Sequence, residues 1–146
     1  SSELVNVKTK AALAAGLIPI VCFGELIEDR KGGRTEVILE RQFDGSLSGL
    51  SADEMKKTVI AYEPVWAIGT GEVATPEQAE EAHAFIRRLI AKKYNKEVAE
   101  TVRIQYGGSV NEKNAGEILA KPNVDGALVG GASLKTEQFI GIIKSA

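Results

Sequence analysis

A parallel α/β sheet is the architecture this sequence predicts, and three observations carry it. Four short apolar runs, IPIVCF (18–23), TVIAY (58–62), VRIQY (102–106) and DGALVG (125–130), are rich in Val and Ile on consecutive positions. Such runs read as strands buried on both faces. Helical patterns fill every gap between them, so strand and helix alternate along the chain. No linker or low-complexity stretch interrupts that order.

The elements follow in sequence. Residues 5–16 read as a helix stopped by Gly16. After the first strand, a second helix is expected from Thr35 to about Leu47. The strongest signal follows the second strand. There Thr75 can cap, Pro76 suits the first helical position and Gln78 completes a capping box. Ala79, Ala82, Ile86, Leu89 and Ile90 then make one apolar stripe. NEKNAGEILA (111–120) is a shorter helix after the third strand, and TEQFIGIIKSA (136–146) closes the chain. Right-handed crossovers are expected. The outer strands would carry unpaired edges, so the sheet is either open and doubly wound or half of something closed.

Composition narrows the function. The chain has 146 residues, a formal net charge of −2, 44% apolar and 26% charged residues. That is enough for one domain with a core. No basic field favours nucleic acid. The single cysteine, Cys22, excludes an internal disulfide and fits a reducing compartment. No apolar run reaches membrane-spanning length, and the N-terminus is no signal peptide. The start at Ser1, without methionine, is expected from processing, from a recombinant piece or from a sequence that begins partway along its gene.

The strand ends carry the chemistry, because parallel sheets bind ligands at their carboxyl edge. Those ends read Cys22-Phe23-Gly24-Glu25, Glu63-Pro64-Val65-Trp66, Gly107-Gly108-Ser109 and Gly130-Gly131-Ala132-Ser133. Paired glycines after two adjacent strands let backbone N–H groups approach an anion, or else simply make tight turns. Glu63 can serve as a general base if shielded from water, or can be an acid paired to a nearby cation. Pro64, Val65 and Trp66 are stiff or bulky, whereas Ala67-Ile68-Gly69-Thr70-Gly71 is small and permissive. A rigid anchor with a loose tip reads as a lid. Lid, base and phosphate site together suggest proton abstraction from a phosphorylated metabolite with water excluded.

On these residues the sequence resembles the triosephosphate isomerase family. AYEPVWAIGTG (61–71) resembles its signature, YGGSV (106–110) and LVGGASL (128–134) its phosphate loops after strands seven and eight, and IPIVCFGE (18–25) its fifth strand. The resemblance covers essentially the whole chain and ends at a natural-looking C-terminus. It implies a (β/α)8 barrel of which residues 1–146 are the C-terminal half, strands five to eight, of a single domain. It implies that Glu63 shuttles a proton between the carbons of dihydroxyacetone phosphate and glyceraldehyde 3-phosphate through an enediolate, in glycolysis and gluconeogenesis. It implies substrate binding at Gly69, Ser109, Gly130 and Gly131, with Leu128 walling off the base. It implies a lid from Pro64 to Ala74 through Val65, Trp66, Ala67, Ile68, Thr70 and Gly71, with hydrogen bonds expected from Tyr106 and Ser109. Cys22 is expected to pack near the site as a structural residue, and Arg87 with Asp125 to form a structural ion pair. No metal or organic cofactor is implied. The complete enzyme is expected to be a cytoplasmic homodimer. His83, the only histidine, falls inside the helix after the lid and reads as a structural or surface residue.

Two departures from the family pattern stand out. The far lid hinge reads Glu72-Val73-Ala74 where the family often has Lys-Thr-Ala. The first four strands are missing, and with them the lysine and asparagine of the first, the histidine of the fourth and the loop that makes most of the dimer contact. Because that lysine and histidine are the electrophiles, the isolated chain is expected to be inactive. The alternative is a non-catalytic half-barrel that binds a phosphorylated ligand or pairs with another half. A third, weaker reading is another phosphosugar barrel enzyme.

Overall fold

The computed structural model describes residues 1–68, 70 and 72–146. Helix α1 (Ser2–Ala14) leads into β1 (Ile20–Phe23), followed by α2 (Ile27–Lys31), α3 (Thr35–Ser46) and α4 (Ala52–Lys56). Strand β2 (Val59–Tyr62) precedes a 3₁₀ turn at Val65–Ala67 and the long α5 (Pro76–Lys93). Then come α6 (Lys96–Thr101), β3 (Ile104–Tyr106), α7 (Ala115–Leu119), β4 (Gly126–Ala127), a second 3₁₀ turn at Gly131–Leu134 and α8 (Thr136–Ile143).

Local chemistry explains the best-defined boundaries. The Thr75 hydroxyl accepts from the Gln78 N–H at 3.1 Å, and the Gln78 side chain accepts from the Thr75 N–H at 3.0 Å. The predicted capping box is therefore present, with Pro76 inside the first turn. Gly16 adopts φ +74°, the left-handed conformation that turns the chain out of α1.

Short helices α2, α4 and α6 were not expected. Two of them have legible caps: Ser51 with Glu54 makes a capping box, and Asn95 accepts from the Val98 N–H. At five or six residues, they are too short to show a helical apolar stripe. Most expected elements are trimmed at their ends, and two are cut to half their predicted length or less. The 125–130 run contributes only Gly126–Ala127 to the sheet, and the 111–120 helix only Ala115–Leu119.

All four strands are parallel and lie in the order β1-β2-β3-β4. Each crossover advances the chain to the next position, so the doubly wound alternative is excluded, since that needs a reversal of strand order. The register aligns Cys22 with Ala61, Ala61 with Gln105, and Gln105 with Gly126. On the opposite face, Val21, Ile60 and Ile104 form one row and Phe23, Tyr62 and Tyr106 the next.

That second face is the core. It packs with Leu39 and Phe43 of α3 and with Ile86 and Ile90 of α5, all at most 2% exposed. The expectation of burial on both faces holds only in part. Ala61 is buried, but Ile20 and Cys22 on its face are exposed and Gln105 is half-buried. The reason is layering: α3 and α5 cover one side of the arc, and β1 shows the alternation of a strand covered on one face. Strands β1 and β4 each pair on one side only. Among the described residues, no helix is long and apolar enough to cross a membrane.

Candidate active site

Glu63 stands immediately beyond β2, half-buried, with backbone contacts to both neighbouring strands. Its N–H donates to the Phe23 carbonyl at 2.6 Å, while the Gly107 N–H donates to the Tyr62 carbonyl at 2.8 Å. The ladder thus continues one step past each strand and holds the carboxylate's backbone rigidly. Two glycines make room for it. A β-carbon at Gly24 would overlap the Glu63 carbonyl, and one at Gly107 would overlap the Glu63 side chain and stand 3.0 Å from Oε1. Gly24 is clamped in turn by Gln42, whose side chain donates to its carbonyl and accepts from its N–H, both at 2.9 Å.

Cys22 lies beside this carboxylate. Desolvation, and after it the Glu63 charge and hydrogen bond, push its thiol up to about 11. The residue is nonetheless exposed on the open sheet face.

The segment after Glu63 is anchored at its first end by Glu25. Pro64 and Ala67 are buried, Trp66 is half-buried, and Val65 and Ile68 are exposed. Val65 donates its N–H to the Glu25 carbonyl at 3.1 Å. The Trp66 indole donates to Glu25 Oε1 at 3.1 Å, and the Tyr62 hydroxyl donates to the same carboxylate at 3.1–3.2 Å. Arg30 lies 3.9 Å from Glu25, whose side chain is fully buried. A buried carboxylate needs such partners. Glu25 is therefore the anchor of the segment's first end, a role the sequence reading did not assign. Its only sequence signal was an acid directly after a strand-end glycine, as Glu63 is an acid directly after a strand.

At the tip, the Thr70 hydroxyl donates to the Trp66 carbonyl at 2.7 Å and accepts from the Glu72 N–H at 3.2 Å. The Ser109 hydroxyl donates to the Ala67 carbonyl at 2.8 Å. The buried Tyr106 hydroxyl makes no hydrogen bond among the described residues. Burial pushes that phenol up, and the Ala74 backbone opposes the rise. Gly69 and Gly71, both assigned to the lid region from sequence, lie outside the described residues.

The two glycine pairs come together. A cleft of about 480 Å³ is lined by Gly107, Gly108 and Ser109 on one side and Gly130, Gly131 and Ala132 on the other. Ile68 reaches it from the segment after Glu63 and Gln138 from α8, the latter an addition to the sequence reading. Gly130 accepts from both the N–H and the hydroxyl of Ser133, at 2.9 and 2.7 Å, which shapes the 3₁₀ turn beside the cleft. Leu128 is half-buried just after β4 and donates its N–H to the Tyr106 carbonyl at 2.9 Å.

Behind the sheet, Arg87 Nη2 meets Asp125 Oδ2 at 2.6 Å. Arg87 also donates to the carbonyls of Ala99, Val102 and Asn123, and Asp125 accepts from the Ile104 N–H at 2.7 Å. His83 is completely buried, which resolves its two readings in favour of a structural one. No group of three or more His, Cys, Asp and Glu side chains converges as a metal site among the described residues.

A carboxylate held at one strand end, beside a glycine-lined cleft built from the next two, defines a parallel βα protein whose candidate site lies at the carboxyl edge of its sheet. The model of the triosephosphate isomerase family matches residues 1–146. The chain belongs to that family. It is 59% identical over 139 residues to the triosephosphate isomerase of Rhodopirellula baltica, which covers 95% of this chain and 55% of that relative. Identity is 54% to the enzyme of Chloroherpeton thalassium and 52% to that of Carboxydothermus hydrogenoformans, each over 146 residues, all of this chain and 58% of the relative. The chain thus spans little more than half the length of the curated relatives it matches.

Proposed function

We propose that the complete protein is a triosephosphate isomerase and that this chain supplies the C-terminal half of its barrel, strands five to eight, within one domain. Glu63 removes a proton from the carbon beside the substrate carbonyl, giving an enediolate, and returns it to the neighbouring carbon. Gly69, Ser109, Gly130 and Gly131 receive the phosphate of dihydroxyacetone phosphate or glyceraldehyde 3-phosphate, and Leu128 shields the base. Residues 64–74 close as a lid. The absent half contributes the lysine and histidine that stabilise the enediolate oxygen, so the chain alone has negligible activity. The complete enzyme works as a cytoplasmic homodimer without metal or organic cofactor.

One observation carries this reading: the Glu63 side chain rests on Gly107, and Gly107 begins the loop that lines the cleft. Base and phosphate loop are therefore one continuous surface, as proton abstraction from a small phosphorylated substrate requires. The test is the isomerisation rate of the complete protein with and without Glu63→Gln. Loss of several orders of magnitude is expected, and a rate unchanged within tenfold would overturn the assignment.

The unpaired edges of β1 and β4 favour a second reading, a non-catalytic half-barrel that binds a phosphorylated ligand or assembles with another half. An inactive complete protein that still binds a phosphorylated triose would support it.

A further inference from the structure

His83 and Tyr106 each bury a polar atom that finds no partner among the described residues: the imidazole Nε2 and the phenol oxygen. Their rings are neighbours, with centroids 6.4 Å apart. His83 Nδ1 lies 3.1 Å from the Asn123 carbonyl oxygen, which can only accept. Nδ1 must therefore carry the proton of the neutral ring, and Nε2 presents a lone pair. A buried acceptor without a donor is costly, so it is expected to find one.

Two tyrosines pack against this imidazole. Tyr62 meets it edge-on at 5.8 Å, but its hydroxyl is committed to Glu25. Tyr106 is left, and its hydroxyl is uncommitted. The backbone of Ala74, at the far end of the 64–74 segment, and the charge of Glu25 also act on this phenol.

We propose that His83 is a positioning residue for the lid, its Nε2 receiving the Tyr106 hydroxyl when the far end of the lid withdraws. The phenol oxygen accepts from the Ala74 backbone N–H while the lid is seated, and the hydroxyl donates to His83 Nε2 once it withdraws. The phenol stays oriented through both states, and Tyr106 need not be re-ordered at each closure. Burial keeps the imidazole neutral, holding it down to about 4, so the lone pair persists at neutral pH. This inference rests on residues 64–74 acting as a lid.

The test uses the complete protein that carries this chain. Nitrogen-15 NMR of the histidine ring is expected to report Nδ1 protonated and Nε2 unprotonated, and Tyr106→Phe is expected to shift the Nε2 resonance. These readouts do not need catalysis, so they stand apart from failure of the isomerase assignment. In kinetics, His83→Leu and Tyr106→Phe are each expected to lower kcat roughly fivefold, one hydrogen bond's worth. The double variant is expected to lose no more than Tyr106→Phe alone. His83→Gln, whose amide oxygen can accept, is expected to recover most of the rate and guards against a folding defect in His83→Leu. A protonated Nε2, a resonance indifferent to Tyr106→Phe, or fully additive losses would overturn the proposal.

Discussion

The Glu63 side chain lies directly across Gly107, so that no β-carbon fits at position 107 without displacing the carboxylate. The neighbouring strand thereby dictates where the acid can sit. Gly107→Ala should push the carboxylate out of place while leaving the strand ladder intact. A displacement on the order of 1 Å costs about 10²-fold in rate. A loss of that size in kcat/KM of the complete protein is expected, and an unaltered value would mean that Glu63 tolerates movement.

Ser109 ties the cleft to the proposed lid, residues 64–74, through its bond to the Ala67 carbonyl. A net hydrogen bond is worth about 1 kcal/mol. Ser109→Ala should therefore weaken substrate retention roughly fivefold, seen as a raised KM. Thermal unfolding of that variant should barely change, which separates a lid effect from a folding effect.

Cys22 offers a chemical probe of the same corner. Its thiol is exposed yet pushed up to about 11 by desolvation and by Glu63. Because the thiolate is the nucleophile, alkylation at pH 8 should be much slower than for a free cysteine thiol. Glu63→Gln removes the negative charge, so alkylation should accelerate. Equal rates in the two proteins would show that Cys22 does not sense the carboxylate.

His83 makes stability depend on acid. Burial lowers its folded-state value to about 4, outweighing the raising effects of the Asn123 carbonyl, Asp125 and Glu80, while Arg87 adds to the lowering. The unfolded histidine titrates near 6.5. Between those values the unfolded chain binds a proton that the folded chain refuses, so acid favours unfolding. The contribution is intact above pH 6.5, declines as pH falls and is lost by about pH 4. The total is about 3 kcal/mol. Denaturation midpoints measured from pH 7 to pH 4 should fall less steeply in His83→Gln than in the native sequence.

The sequence was most readable where a property repeats or a cap is local. The four strands, the Thr75–Gln78 capping box and the apolar stripe of α5 all follow from spacing and side-chain type. Glu63 and the glycine pairs were legible because an acid or a glycine pair at a strand's end is conspicuous against an apolar run. Short helices such as α2 left no period to detect.

Contacts between distant segments were not legible in that way. Nothing near Glu25 in the chain announces that Tyr62 and Trp66, about forty residues away, will satisfy its buried charge. Nor does Gly107 reveal locally that the Glu63 side chain, from the end of β2, will lie on it. Residue pattern sets the elements through backbone geometry and the periodic burial of apolar groups. Sheet order and register then choose which strand ends become neighbours. That choice makes a carboxylate, two glycines and a hydroxyl into one site, and it turns His83 from an ordinary helical residue into a buried partner of Tyr62 and Tyr106.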